Sequence, residues 1–187
     1  MTAPAAGIPL ISRTLLKSLR WTDAGLVRQC LPPVWRNWLL DEGSLTARLM
    51  ARFGTDSFRV RVLATRTQQP VLSERMALAL PPRFLCWTRE VVLVCGGQPR
   101  VVARTLIPQH AFTGAARQLR LLGERPLGAA LFRTPGIVRH PMEVAVLPAL
   151  SGHAHGWARR SVFVFHGCPV LVCEFFLPAC LTPPALS

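Results

Sequence analysis

Two charged residues sit where the hydrophobic pattern leaves no place for them. Arg89 falls in the stretch Phe84–Pro108, FLCWTREVVLVCGGQPRVVARTLIP. Strand side chains alternate faces, so Leu85, Trp87, Arg89, Val91 and Leu93 share one face, with a single guanidinium in an apolar row. A guanidinium keeps its proton in proteins, so a buried Arg89 must meet an anion. Glu174 lies in PVLVCEFFL, a run with no other polar group. Both faces of such a strand are apolar, which buries the carboxylate whichever way it points. Two chemistries fit. The pair can be structural, each neutralised by the other or by Glu90, Arg104 or Arg159, as buried charges usually are. Alternatively both line a pocket over a sheet, Arg89 fixing a substrate carboxylate and Glu174 lying across from it, since charged groups with perturbed surroundings concentrate in such sites.

Other candidates carry less. His153 and His155 have metal-ligand character, but they sit in a Gly-Ala loop without a third ligand, so a plain surface loop is the expectation and no metal is. The six cysteines lack the close pairs of a zinc or redox site, and Cys86 and Cys173 have no histidine nearby in sequence. They read as packed thiols of a reduced, cytoplasmic protein. There is no phosphate loop, dinucleotide fingerprint or nucleophile elbow. The net charge of +13 suggests a polyanion partner, yet all basic residues but Lys17 are arginine and they are scattered. That pattern argues against nucleic acid. The longest apolar run, Cys168–Leu181, contains Glu174 and two prolines and is too short to span a bilayer. The N-terminus has no signal-peptide pattern.

The elements that must position these residues follow from periodicity. At 187 residues the chain suits one domain, with residues 1–9 as a loose tail. Short helices are expected within 10–21, around Val34–Leu39, and after Ser44, a good N-cap with Leu45, Leu49 and Met50 on one face. Strand alternation begins at Ser57, and residues 66–82 read as connection. The Arg89 hairpin turns at Gly96-Gly97, where positive φ is needed. Helical spacing returns from Thr113 to Gly123 and again over Pro126–Phe132. Ile137–Leu147 and a last hairpin about His166-Gly167-Cys168 complete six strands. The expected fold is α+β: a six-stranded antiparallel sheet with helices on one face.

Three segments, WTREVVLVCGGQPRVVARTLIP (87–108), GERPLGAALF (123–132) and ARRSVFVFHGCPVLVCEFFLPA (158–179), resemble the chorismate lyase family in order and spacing. The resemblance covers the chain from Pro32 to Pro178. It implies an enzyme that needs no cofactor and removes pyruvate from chorismate to give 4-hydroxybenzoate, the first committed step toward ubiquinone. It also implies an antiparallel six-stranded sheet over which helical flaps close a buried pocket. By that resemblance Arg89 binds the ring carboxylate, assisted by the backbone N–H of Leu127. Glu174 faces the phenol oxygen, and Leu45 lines the pocket where relatives carry methionine. Ala103 stands where relatives can carry glycine, and Arg104 is a candidate for the second, enolpyruvyl carboxylate. A monomer acting on a small molecule is the expected form. The competing function is a non-catalytic metabolite binder, because the effector-binding UTRA domains of bacterial repressors are similar in fold.

Overall fold

The computed structural model describes residues 11–182 apart from 113, 133 and 149–155. In chain order the elements are α1 (Arg13–Ser18), β1 (Thr22–Asp23), α2 (Pro33–Leu39), α3 (Leu45–Phe53), β2 (Arg59–Gln68), α4 (Leu72–Ala77), β3 (Cys86–Cys95) and β4 (Gln98–Pro108). Two 3-10 segments, Gln109–Phe112 and Gly114–Leu121, lead to α5 (Leu127–Phe132), β5 (Val138–Arg139), β6 (Glu143–Val146), β7 (Trp157–Phe165) and β8 (Cys168–Phe176). The strands form one antiparallel sheet in the order β1-β6-β7-β8-β4-β3-β2, with β5 also paired to β7. The α+β class with an antiparallel sheet therefore holds, with eight strands among the described residues in place of six. The expected strand 137–147 is divided at Pro141, whose missing N–H cannot join a ladder, and β1 is too short to leave a periodic signal.

Local chemistry accounts for the boundaries. Pro33 opens α2 with its fixed φ, and the Ser44 hydroxyl accepts from the Ala47 N–H at the start of α3. Gly96 and Gly97 take φ of +57° and +71°, which closes the β3–β4 hairpin in the left-handed region that matches strand twist. The connection expected over 66–82 instead extends β2 to Gln68 and forms α4, where Glu74 accepts from the Val71 N–H at 2.9 Å. The segment after Pro108 is 3-10 in place of α-helix, and Thr113, its expected cap, lies outside the described residues. So do the loop histidines, His153 and His155. Among the described residues no helix is long and apolar enough to cross a membrane.

Apolar residues cover both faces of the sheet. On one, α2 and α3 pack Trp35, Trp38, Leu39, Leu45 and Leu49 against Val91, Leu93, Val101 and Phe176. That layer continues under the 3-10 segments and α5, where Leu119, Leu122 and Leu131 meet Trp87, Ile107 and Phe163. On the other face, Leu16 of α1 and the flanks of α4 meet Val92, Val102, Leu106 and Leu171. The smaller helical cover on this second face goes beyond the one-sided packing expected from sequence.

The second face also buries charge. Arg104, 1 % exposed, donates to Glu74 at 2.7 Å and to Glu90. Burial works against its charge, but the two carboxylates outweigh that and raise its pKa. Without Glu74 the guanidinium keeps Glu90 alone, and the Arg104 Nε and the Val71 N–H lose their acceptor in a dry interior. Glu74→Ala is expected to cost about 3–5 kcal/mol. Urea unfolding followed by circular dichroism checks this, and a midpoint within error of the parent would contradict it.

Candidate active site

A cavity lies between the sheet and its larger helical layer, and the alternation of β3, β4, β7 and β8 dictates what reaches it. From the floor come Arg89 and Val91, Ala103 and Thr105, Arg159 and Phe163, and Val172 and Glu174. The roof is the start of α3, with Leu45 and Thr46, and the start of α5, with Leu127 and Gly128. The two helix starts lie close: a Cβ at Gly128 would stand in ordinary contact with the Ser44 hydroxyl at 3.4 Å and that of Thr46 at 3.7 Å. The enclosed space is about 60 Å³. That is smaller than the ~150 Å³ of a cavity that takes up benzene.

All four residues singled out from sequence, Arg89, Glu174, Leu45 and Leu127, border this one cavity. Arg89 is 4 % exposed, and its Nη2 donates to the carbonyls of Gly123 at 2.6 Å and Arg125 at 3.1 Å. Carbonyl dipoles orient the guanidinium without neutralising it. Among the described residues no carboxylate forms an ion pair with it. Burial lowers its pKa, so an arriving anion relieves a real cost. Leu127 is the first residue of α5, and its N–H belongs to the turn whose donors have no partner within the helix.

Glu174 takes the structural option in part. Its register partner on β7 is Arg159, and the Arg159 Nε donates to a Glu174 carboxylate oxygen. The Arg159 Nη1 donates to the carbonyls of Trp38 at 2.8 Å and Asp41 at 2.7 Å. Arg159 therefore fixes Glu174 and ties the end of α2 to the sheet. Arg89 and Glu174 are not bonded to each other. The Asp41 side chain anchors the same corner. Burial pushes its pKa up, but Arg48 at 2.9 Å and the Gly43 N–H at 2.9 Å reverse that and hold it below the usual range.

Arg104 does not belong to this cavity. It alternates with Ala103 and Thr105, so it points through the sheet to the opposite face and is consumed there by Glu74 and Glu90. Arg139 reaches the cavity instead, from β5 beside β7. Sequence reasoning passed over it because β5 is two residues long and nothing in IVRHP distinguishes its arginine from twenty others. Ala103 lies on the floor beside Glu174, at the position where a glycine would leave more room.

The cysteines stand apart from the site. Cys86 and Cys173 are buried on the opposite face, and burial pushes the Cys86 thiol up to about 12 and the Cys173 thiol up as well. Neither is a thiolate at neutral pH. Among the described residues no group of potential ligands could hold a metal ion. Iodoacetamide at pH 8 is expected to label exposed Cys30 first and to reach Cys86, Cys173 and Cys180 only on unfolding. Peptide mass mapping reads the order, and labelling of Cys86 as fast as Cys30 would be the contrary result.

Comparison with known proteins adds the family. The family model described as chorismate lyase matches residues 15–184. A probable chorismate pyruvate-lyase of Aromatoleum aromaticum is 42% identical over 171 residues, spanning 84% of this chain and 91% of its own. One from Marinobacter nauticus is 42% identical over 149 residues, covering 80% and 79%. Among solved structures, the effector domain of PhnF from Mycobacterium smegmatis superposes with a TM-score of 0.54 at 16% identity, covering 78% of this chain and 94% of that one. At that identity the likeness concerns the fold alone.

Proposed function

The chain belongs to the chorismate lyase family, and from that premise we propose that it eliminates pyruvate from chorismate to leave 4-hydroxybenzoate. The observation that carries the reading is the meeting of Arg89, Glu174, Leu45 and Leu127 around a single buried cavity with an unneutralised arginine. The ring carboxylate goes to the Arg89 guanidinium and the backbone N–H of Leu127. Glu174, held by Arg159, faces the oxygen on the opposite ring carbon. Leu45 presses on the ring from the roof.

The chemistry asks for little beyond this. The ether bond to the enolpyruvyl group breaks, and the neighbouring ring carbon, which bears the hydroxyl, loses its proton. The electrons of that C–H bond complete the aromatic ring, and the departing enolpyruvate takes up a proton to become pyruvate. No atom changes hands with an outside oxidant or reductant, and aromatisation supplies the driving force. What the protein contributes is one bound conformer of a dianion and a site without water. Glu174 is the carboxylate within the cavity, and it either holds the hydroxyl or moves the proton beside it. In the same reading the protein acts as a cytoplasmic monomer that starts ubiquinone biosynthesis. A roof of α3 and α5 that parts to admit the ring fits a space too small for it when closed.

Purified protein incubated with chorismate is expected to release 4-hydroxybenzoate and pyruvate in equal amounts. Folded protein that leaves chorismate unchanged, yet is stabilised by it, would instead mark a metabolite-binding domain. Arg89→Ala removes the charge that meets the ring carboxylate, and the dissociation constant for 4-hydroxybenzoate is expected to rise roughly tenfold or more. Isothermal titration measures it, and undiminished binding by the folded variant would refute the role.

A further inference from the structure

Resting on that reading, we propose that Arg139 is the residue that receives the second carboxylate of the substrate, on the enolpyruvyl arm. Among the described residues the cavity carries three guanidiniums, those of Arg89, Arg139 and Arg159, and one carboxylate, Glu174. The Glu174–Arg159 pair removes one of each. Two positive charges remain, Arg89 buried and Arg139 half-buried, and the substrate is a dianion. Arg89 accounts for one of its carboxylates. The other needs the remaining cation.

Arg139 is built for that use. Its Nε donates to the Ser161 hydroxyl at 3.0 Å and its Nη1 to the Glu42 carbonyl at 3.0 Å, while the guanidinium lies 5.1 Å from the centre of the Phe163 ring. These neutral contacts fix its direction without cancelling its charge. Among the described residues it forms no ion pair with a carboxylate. Burial, and after it the charge of Arg159, lowers its pKa, whereas Glu174, Glu42 and Asp41 act the other way without reversing it. An incoming carboxylate offsets both adverse effects.

The sheet also sets the separation. Ser161, which holds Arg139, lies on the same rung as Val172, Thr105 and Arg89. Three strand spacings separate its Cα from that of Arg89, about 14 Å. Arg139 itself stands one strand further out, opposite Phe163, and reaches back to Ser161, so the two guanidiniums enter the cavity from opposite sides. Arg139 further borders an outer groove that includes Asp23, Arg28, Glu42 and His140, and Phe132 and Phe163 line both spaces. The arm that breaks away is thus held on the groove side, and the ring on the inner side at Arg89.

This assignment separates substrate from product, because 4-hydroxybenzoate lacks the second carboxylate. Arg139→Gln is expected to raise KM for chorismate about tenfold or more while changing the dissociation constant for 4-hydroxybenzoate less than about threefold. Arg139→Lys, which keeps a point charge, should recover part of the loss. Thermal unfolding of each variant confirms that the comparison is made on folded protein. An unchanged KM in Arg139→Gln, or an equal loss for substrate and product, overturns the proposal while the lyase reading stands. Parent protein inert toward chorismate overturns both.

Discussion

A guanidinium keeps its proton at any pH a protein survives, and the cavity face of this sheet answers to that constraint. Among the described residues three arginines reach it and one glutamate does. Backbone carbonyls do the remaining work: those of Gly123 and Arg125 on Arg89, of Trp38 and Asp41 on Arg159, and of Glu42 on Arg139. Each is a dipole that lowers the cost of burying a cation and aims it, yet leaves its charge in place. Each also comes from a turn or helix end in the roof. The field in the cavity and the attachment of the helical layer are therefore one set of bonds.

The opposite face shows the other solution to the same problem. Arg104 is matched there by Glu74 and Glu90, and Arg160 by Glu143 at 2.7 Å, so cations on that side are neutralised within the chain. A two-residue periodicity separates the two fates. Arg159 and Arg160 are neighbours in sequence and point to different faces, one toward the cavity and one into an internal ion pair. Internal pairing makes for a quiet interior, and surplus charge leaves room for an anion.

That contrast also explains what could be seen in the sequence. Arg89 stood out because it interrupts a long apolar strand, and Glu174 because its run has no other polar group; both are indeed on the cavity face. The hairpins were legible from Gly96-Gly97 and His166-Gly167, and α3 from Ser44 and its apolar stripe. Leu45 and Leu127 became visible only through the family resemblance, since a backbone N–H leaves no trace in composition. Arg139 was missed, and Arg104 considered in its place, because its strand is too short to have a period and because the proximity of β5 to β7 depends on pairing across 24 residues. Helix α4 went unread for a related reason: its stability comes from Glu74 reaching a distant arginine. Local pattern locates a residue on a face. Only the assembled sheet says who shares it.

The hold of Arg89 on the roof has a consequence of its own. A terminal guanidinium nitrogen carries two hydrogens, and Nη2 already donates to two carbonyls, those of Gly123 and Arg125. A carboxylate gripped through two adjacent nitrogens, whichever edge of the fork it takes, needs one of those hydrogens. Such a guest cannot be seized without letting go of a carbonyl at the end of the 3-10 segment. In the proposed role Arg89 is a clasp as well as a receptor: a carboxylate taken by the fork exchanges places with a carbonyl of the turn above it.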